Sequence, residues 1–368
     1  MSYLWAVAKR ACRPSLWRTG TPDQCEGTHS PRPVATASRH RRPGQVDHAR
    51  RQRATARVRK WWRGESYAQA NRVLLFLMLL ALNMTLLEKH VHTLSVQIGG
   101  RLASSGLETA AAYIESELRS YGYTPQRQTF KIGGHTFSNI EAEIKGTKHP
   151  GTVLVFGAHY DTVGDLPGAD DNATGVASVL ELAQTFARSS PARTVRWVFF
   201  TNEEPPYFQS PAMGSYVYAK RCRARHEKID AMVSIETIGY YTDKPNSQTY
   251  PIGFHPGYPD RGNFLGFVAD LKSALLLRSA LKAFRISTAL PAEGVVAPSS
   301  IPGIGWSDHW SFWQFGYKAL MITDTAPYRY PYYHTAQDTP DKLDWQRFGQ
   351  AVDGIQGIVR TLAAFGQP

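Results

Sequence analysis

The sequence predicts an α/β fold of three layers, α/β/α, around a mixed, mainly parallel central sheet. Three observations predict it. Four short runs, at 152–156, 195–200, 231–235 and 319–322, are almost wholly apolar, as strands covered on both faces are. Helical periodicity lies between them, for example at 175–188, and alternating strands and helices build such a sheet. Each run is followed closely by His, Asp or Glu, and open α/β sheets collect ligands at the carboxyl ends of their strands.

The elements follow in chain order. Residues 1–70 carry 15 Lys/Arg and 4 Asp/Glu, so nearly all of the net charge of +12 sits there. That stretch shows no sustained apolar period and is rich in Arg, Pro, Ser, Thr and Ala, the composition of a segment that cannot offset its ordering entropy. It reads as a disordered basic extension. The remaining residues are close to neutral, so no nucleic acid partner is expected of the globular part. Residues 73–82 are ten uninterrupted apolar residues, and the hydrophobic segment at 71–87 follows Arg59, Lys60, Arg63 and Arg72. It is short for a spanning helix, and two readings stand. One is a signal-anchor, which associates the chain with a membrane and places the domain that follows in an extracytoplasmic, periplasmic space. The other is a helix packed on the domain of a cytoplasmic protein.

From residue 88 to 368 the pattern is that of one folded domain. Leu107, Ala111, Ile114, Leu118 and Tyr121 mark one face of a helix that Gly122 stops. The segment 241–305 is rich in Pro, Gly and aromatics around one helical stretch at 264–284, and it is expected to wall a specificity pocket. Three cysteines, Cys12, Cys25 and Cys222, have no zinc-site spacing and permit no disulfide within this domain.

The chemistry sits after the strands. The first run gives His159-Tyr160-Asp161, the second Asn202-Glu203-Glu204, the third Glu236, and the fourth Asp324 and then His334. Asp171 lies in a Gly168–Gly175 turn that leads into a helix. Taken singly, each has a bland reading: a solvated His, an exposed Glu pair, an N-cap Asp. Recurrence at successive buried strand ends defeats those readings, because such charges are costly unless a cation compensates them. Mixed imidazole and carboxylate donors favour Zn²⁺. Two His and three carboxylates exceed one catalytic zinc and suit two ions sharing a carboxylate. One Glu of the adjacent pair is left over as a general base.

His159-Tyr160-Asp161-Thr162, Pro167 through Gly175, Asn202-Glu203-Glu204-Pro205-Pro206, Ser307-Asp308-His309 and Tyr333 through Thr339 together resemble the co-catalytic zinc aminopeptidases, metallopeptidase family 28 of clan MH. The resemblance runs from about residue 88 to the C-terminus. It implies a zinc exopeptidase-like fold, two Zn²⁺ ions per chain and peptide substrates. It further implies that His159, Asp171 and Glu236 hold one ion and that Asp171, Glu204 and His334 hold the other. Glu203 would be the general base, and Asp161 would orient His159. Asp308 and His309 would line the site, and Tyr240 is a candidate oxyanion donor. Many members carry Asp where this chain has Glu236, which adds one methylene of reach. The rival readings are a single-zinc glutaminyl cyclase or a carboxypeptidase on the same fold, and a binding module without catalysis. A module of that kind would have lost ligands or the base.

Overall fold

The computed structural model describes residues 86–102, 104–251 and 257–364. The expectations for the basic extension and for the hydrophobic segment as far as residue 85 lie outside the described residues. Within them, no helix is long and apolar enough to cross a membrane. Leu87, at the end of that segment, is buried in the core.

The described strands form one mixed sheet of eight: β1 (Gln126–Ile132), β2 (His135–Ile144), β3 (His149–His159), β4 (Arg193–Phe200), β5 (Lys228–Glu236), β6 (Leu265–Ala269), β7 (Ala292–Val296) and β8 (Ala319–Thr323). Their order is β1-β2-β4-β3-β5-β8-β6-β7. The four runs read from the sequence are the central parallel strands β4, β3, β5 and β8. Antiparallel pairing adds β2 and β1 on one side and β6 on the other, with β7 parallel to β6 at the edge.

Alternation along the strands makes two apolar layers. Leu154, Phe156, Val195, Trp197 and Phe199 join one core under the helices α1 (Ser104–Ser120), α2 (Gly175–Phe186), α4 (Ala274–Ser287) and α7 (Trp345–Ala363). Val153, Val155, Val198 and Phe200 join the core of the opposite face, under α3 (Gly214–Ala224) and α5 (His309–Gln314). A short helix, α6 (Ala326–Arg329), follows β8. The predicted helix ending at Gly122 is α1, and Gly122 takes φ +95°, a left-handed stop that glycine adopts without strain.

Trp197 is fully buried between the rings of Phe156 and Phe186, and its indole N–H donates to Tyr123. Replacing it with Ala is expected to cost about 3–5 kcal/mol, as large-to-small changes of a buried aromatic do. A urea denaturation midpoint measures this, and a loss below about 1 kcal/mol, within the range of a surface substitution, would contradict the packing.

The reading of 264–284 as one helix is corrected. Residues Leu265–Ala269 are β6, buried on both faces, and the helix starts only at Ala274. Asp270 makes the break: its side chain accepts the Ser273 N–H at 2.9 Å, and the chain turns there from extended to helical.

Candidate active site

Each strand end delivers one part of the site. His159 is the last residue of β3, Glu203 and Glu204 follow β4 by a short turn, and Glu236 is the last residue of β5. Because β5 and β3 are parallel neighbours in register, His159 and Glu236 come together, with Nε2 to Oε1 at 3.3 Å. The turn before α2 brings Asp171 over them. Gly168 takes φ +57° there, where a Cβ would lie 2.3 Å from the Asp171 carbonyl, so only glycine fits. His334 arrives from the loop after α6.

The result is two donor groups that share one residue. His159, Asp171 and Glu236 form the first, and Asp171, Glu204 and His334 the second. Asp171 Oδ1 lies 3.3 Å from His159 Nε2, and its Oδ2 lies 3.0 Å from His334 Nε2. Glu204 Oε1 is 3.2 Å from the same His334 nitrogen. Neither Asp171 oxygen, nor Glu204 Oε1, has a hydrogen bond of good geometry among the described residues. Donors about 2.0–2.2 Å from one tetrahedral zinc are themselves about 3.3 Å apart, so this spacing and these orphaned oxygens fit a metal ion in each group.

The electrostatics point the same way. Burial opposes charge on both imidazoles, yet the facing carboxylates outweigh it. They raise His159 well above its ordinary value and His334 to about 10. Burial, with Asp171 beside it, pushes Glu204 up to about 7. Glu203, also buried and ringed by acids, is raised well above the usual carboxylate range. Without a cation, such a cluster must hold protons; a bound divalent ion removes that need and favours the ionised acids.

Glu203 is buried but belongs to neither donor group. Asp161 touches both sides of the site. Its carbonyl lies 3.2 Å and its Oδ1 3.5 Å from His159 Nδ1, and its Oδ2 accepts the Glu204 N–H at 3.1 Å. Asp308 is fully buried, and burial raises its carboxyl to about 7. His309 Nε2 lies 2.8 Å from the Ile304 carbonyl with its ring edge-on to Trp313, and burial lowers its imidazole to about 4. Tyr240 lies tilted against Tyr330, ring centroids 4.7 Å apart, and donates its backbone N–H to Asp324 at 2.8 Å.

Several supporting residues escape the sequence reading. Asp338 accepts the backbone N–H of Asp170 and of Asp171, at 2.8 and 3.1 Å. Ser307 donates to Glu236 Oε2 at 2.7 Å, leaving Oε1 toward His159. The buried Arg101 guanidinium donates to the carbonyls of Leu94, Gly99, Tyr160, Pro167 and Gly168, tying β3 to the Asp171 turn. The signal for Asp338 was available, four residues after His334 in the same motif. Arg101 left none, since its partners are all backbone. Asn202, Thr237 and His334, next to or within the donor set, have φ of +59°, +48° and +55°, the kind of backbone strain that functional sites retain.

The sequence profile of Peptidase family M28 matches residues 139–359, a span that holds every donor named above. The chain belongs to peptidase family M28. It is therefore a zinc metallopeptidase, a hydrolase acting on peptides. An uncharacterized protein of Escherichia coli K12, YfbL, is 38% identical over 283 residues, covering 73% of this chain and 85% of that protein. The fold of this M28 chain is similar to that of a zinc aminopeptidase from Bacillus subtilis, at TM-score 0.62 and 15% identity, over 77% of this chain and 95% of that one. It is also similar to that of a glutaminyl cyclase from Fimbriiglobus ruber, at TM-score 0.57 and 18% identity, over 76% and 95%. At these identities the likeness concerns the fold alone, and one fold serves both chemistries.

Proposed function

We propose that this M28 chain is an aminopeptidase that removes N-terminal residues from peptides, with two zinc ions held through a shared Asp171. The observation that carries the reading is the pair of donor groups meeting at Asp171, with the buried Glu203 left outside both. His159, Asp171 and Glu236 would hold one ion; Asp171, Glu204 and His334 would hold the other. When bound, the ions lower the pKa of a water and polarise the scissile carbonyl. Glu203 takes the proton of that water as it attacks and returns it to the leaving amine. Asp161 fixes the His159 ring and the Glu204 backbone, so both donor groups are positioned by one residue. Asp308 and His309 are assigned to the wall behind the reacting groups, and Tyr240 to the substrate side.

A second observation favours the amino end of the peptide over the carboxyl end. Among the described residues, those that line the cleft beside Glu236 include Glu236 and Glu293 but no Lys or Arg. At the Glu236 end a C-terminal carboxylate would meet like charge, whereas a free α-ammonium would meet an acid. The full-length, zinc-loaded chain should hydrolyse aminoacyl amides, lose that activity to a chelator and leave N-acetylated peptides intact. Release of C-terminal residues from N-acetylated peptides would replace this reading with a carboxypeptidase.

Asp338 acts on the site through the backbone of Asp171. Asp338→Ala is expected to weaken zinc binding about 10–100-fold, the usual worth of such support, in competition with a chromogenic chelator. Unchanged affinity would show that the Asp171 turn holds itself.

The segment 71–87, whose Leu87 already packs into the domain core, is read as a signal-anchor on the strength of the basic residues that precede it, with the catalytic domain outside the cytoplasm. Protease added to spheroplasts should digest the domain. Protection until lysis would favour the cytoplasmic alternative.

A further inference from the structure

We infer that the chain selects peptides whose N-terminal side chain has a long apolar stem and a cationic tip, Arg or Lys, and that Glu293 reads the tip. The inference rests on the aminopeptidase reading and deepens it.

Glu236 pairs with Thr323, Thr323 with Gly266, and Gly266 with Glu293. These four residues therefore form one row across β5, β8, β6 and β7. Side chains in such a row project to the same face. The row runs from a residue of the first donor group to the sheet edge, three strand spacings or about 14 Å away. Between the two acids stand only the short Thr323 side chain and Gly266, where a Cβ would meet the Thr325 methyl at 3.2 Å, so the row stays low beneath the cleft that all four residues line. The residues two positions along the same strands, and so on the same face, Met321, Val268 and Val295, give the cleft an apolar floor.

Aromatic residues wall it. Tyr250 and Tyr258, with ring centroids 5.7 Å apart, stand on the Glu293 side, and Tyr258 donates its hydroxyl to the Gly294 carbonyl. Tyr328 and Trp306 also line the cleft, and Tyr333, stacked on His334, lines it at the reacting end. The lining thus suits methylenes along its length and a cation at its far end, where ring faces and a carboxylate both attract positive charge. A purely apolar side chain would satisfy the walls and leave Glu293 unused. An acidic one would meet the like charges of Glu236 and Glu293 that line the cleft.

Glu293 is free to take that role. Among the described residues no hydrogen bond ends on its carboxylate, and its one ion-pair neighbour is Arg285, at 4.0 Å. Both side chains of that pair are more than a third exposed, and pairs of that kind hold weakly. Arg285 is moreover already committed to the Ala292 carbonyl at 2.5 Å. A substrate guanidinium could make the bidentate contact that Arg285 does not.

The test uses the full-length, zinc-loaded chain and aminoacyl methylcoumarinamides of Arg, Lys, Leu, Phe and Glu. The expected kcat/KM for Arg and Lys exceeds that for Leu by about tenfold or more, the worth of one well-placed charge contact. Glu293→Gln should lower the Arg:Leu ratio by about tenfold, and Glu293→Asp should retain part of it. The ratio does not depend on how much of a variant is folded. Leu or Phe as the best substrate of the parent chain, or an Arg:Leu ratio unmoved in Glu293→Gln, would overturn the inference while leaving the aminopeptidase reading in place. Hydrolysis of none of the amides would overturn both.

Discussion

Glu203→Gln is expected to slow turnover about 10²–10⁴-fold, the usual contribution of a general base, while two zinc ions per chain remain bound. That loss corresponds to about 3–5 kcal/mol of transition-state stabilisation. The split between metal and rate follows from geometry. Glu203 and Glu204 are adjacent in sequence and both buried, yet only Glu204 reaches a donor group, 3.2 Å from His334 Nε2. An amide at 203 keeps the shape of the side chain but cannot accept the water's proton. Because the proton transfer belongs to the transition state, kcat and kcat/KM should fall together with KM nearly unchanged. Loss of one zinc in Glu203→Gln, with both retained in Glu204→Gln, would mean that the two roles are interchanged.

Asp171→Asn is expected to do more damage, because both donor groups use this residue. Its two oxygens face different imidazoles, at 3.3 and 3.0 Å, and an amide offers one oxygen and no charge. Both ions should be lost from the purified protein, with activity at least as low as in Glu203→Gln. Zinc should no longer raise the melting temperature, since stabilisation by a ligand requires that the native state bind it. Glu236→Gln or Glu204→Gln, each in one group, should weaken one ion more than the other. A variant Asp171→Asn that keeps one ion at full occupancy would show that the carboxylate is not shared. Burial of Asp171 opposes its charge, but the two imidazoles outweigh that and hold the carboxylate below the ordinary range.

These expectations could be framed from sequence because the central strands announce themselves. β3, β4, β5 and β8 are buried on both faces, so their apolar runs stand out, and the residues that follow them inherit their positions from the sheet. β1 and β2 were not legible: they form one edge, with exposed residues such as Gln126 and Arg127, and their pattern has no continuous apolar run. β7 was not legible either, being five residues with a glycine at the other edge. β6 was absorbed into a helical pattern because only Leu271–Ser273 separates the Asp270 break from α4. The donor set was visible as residue types at strand ends. Its support was not, because Asp338 and Arg101 act on backbone groups that are distant in sequence. The alignment of Glu293 with Glu236 is not legible for a related reason: only the register of β8, β6 and β7 sets it.

The most direct test of the two-ion reading is the zinc content of the full-length chain, purified and reloaded with zinc, measured alongside its activity toward aminoacyl amides and toward a peptide with N-terminal glutamine. Two zinc ions per chain are expected, both removed by a chelator together with amide hydrolysis, and no cyclisation of the glutamine peptide. One zinc per chain, with the glutamine peptide converted to its pyroglutamyl form and the amides left intact, would contradict that reading.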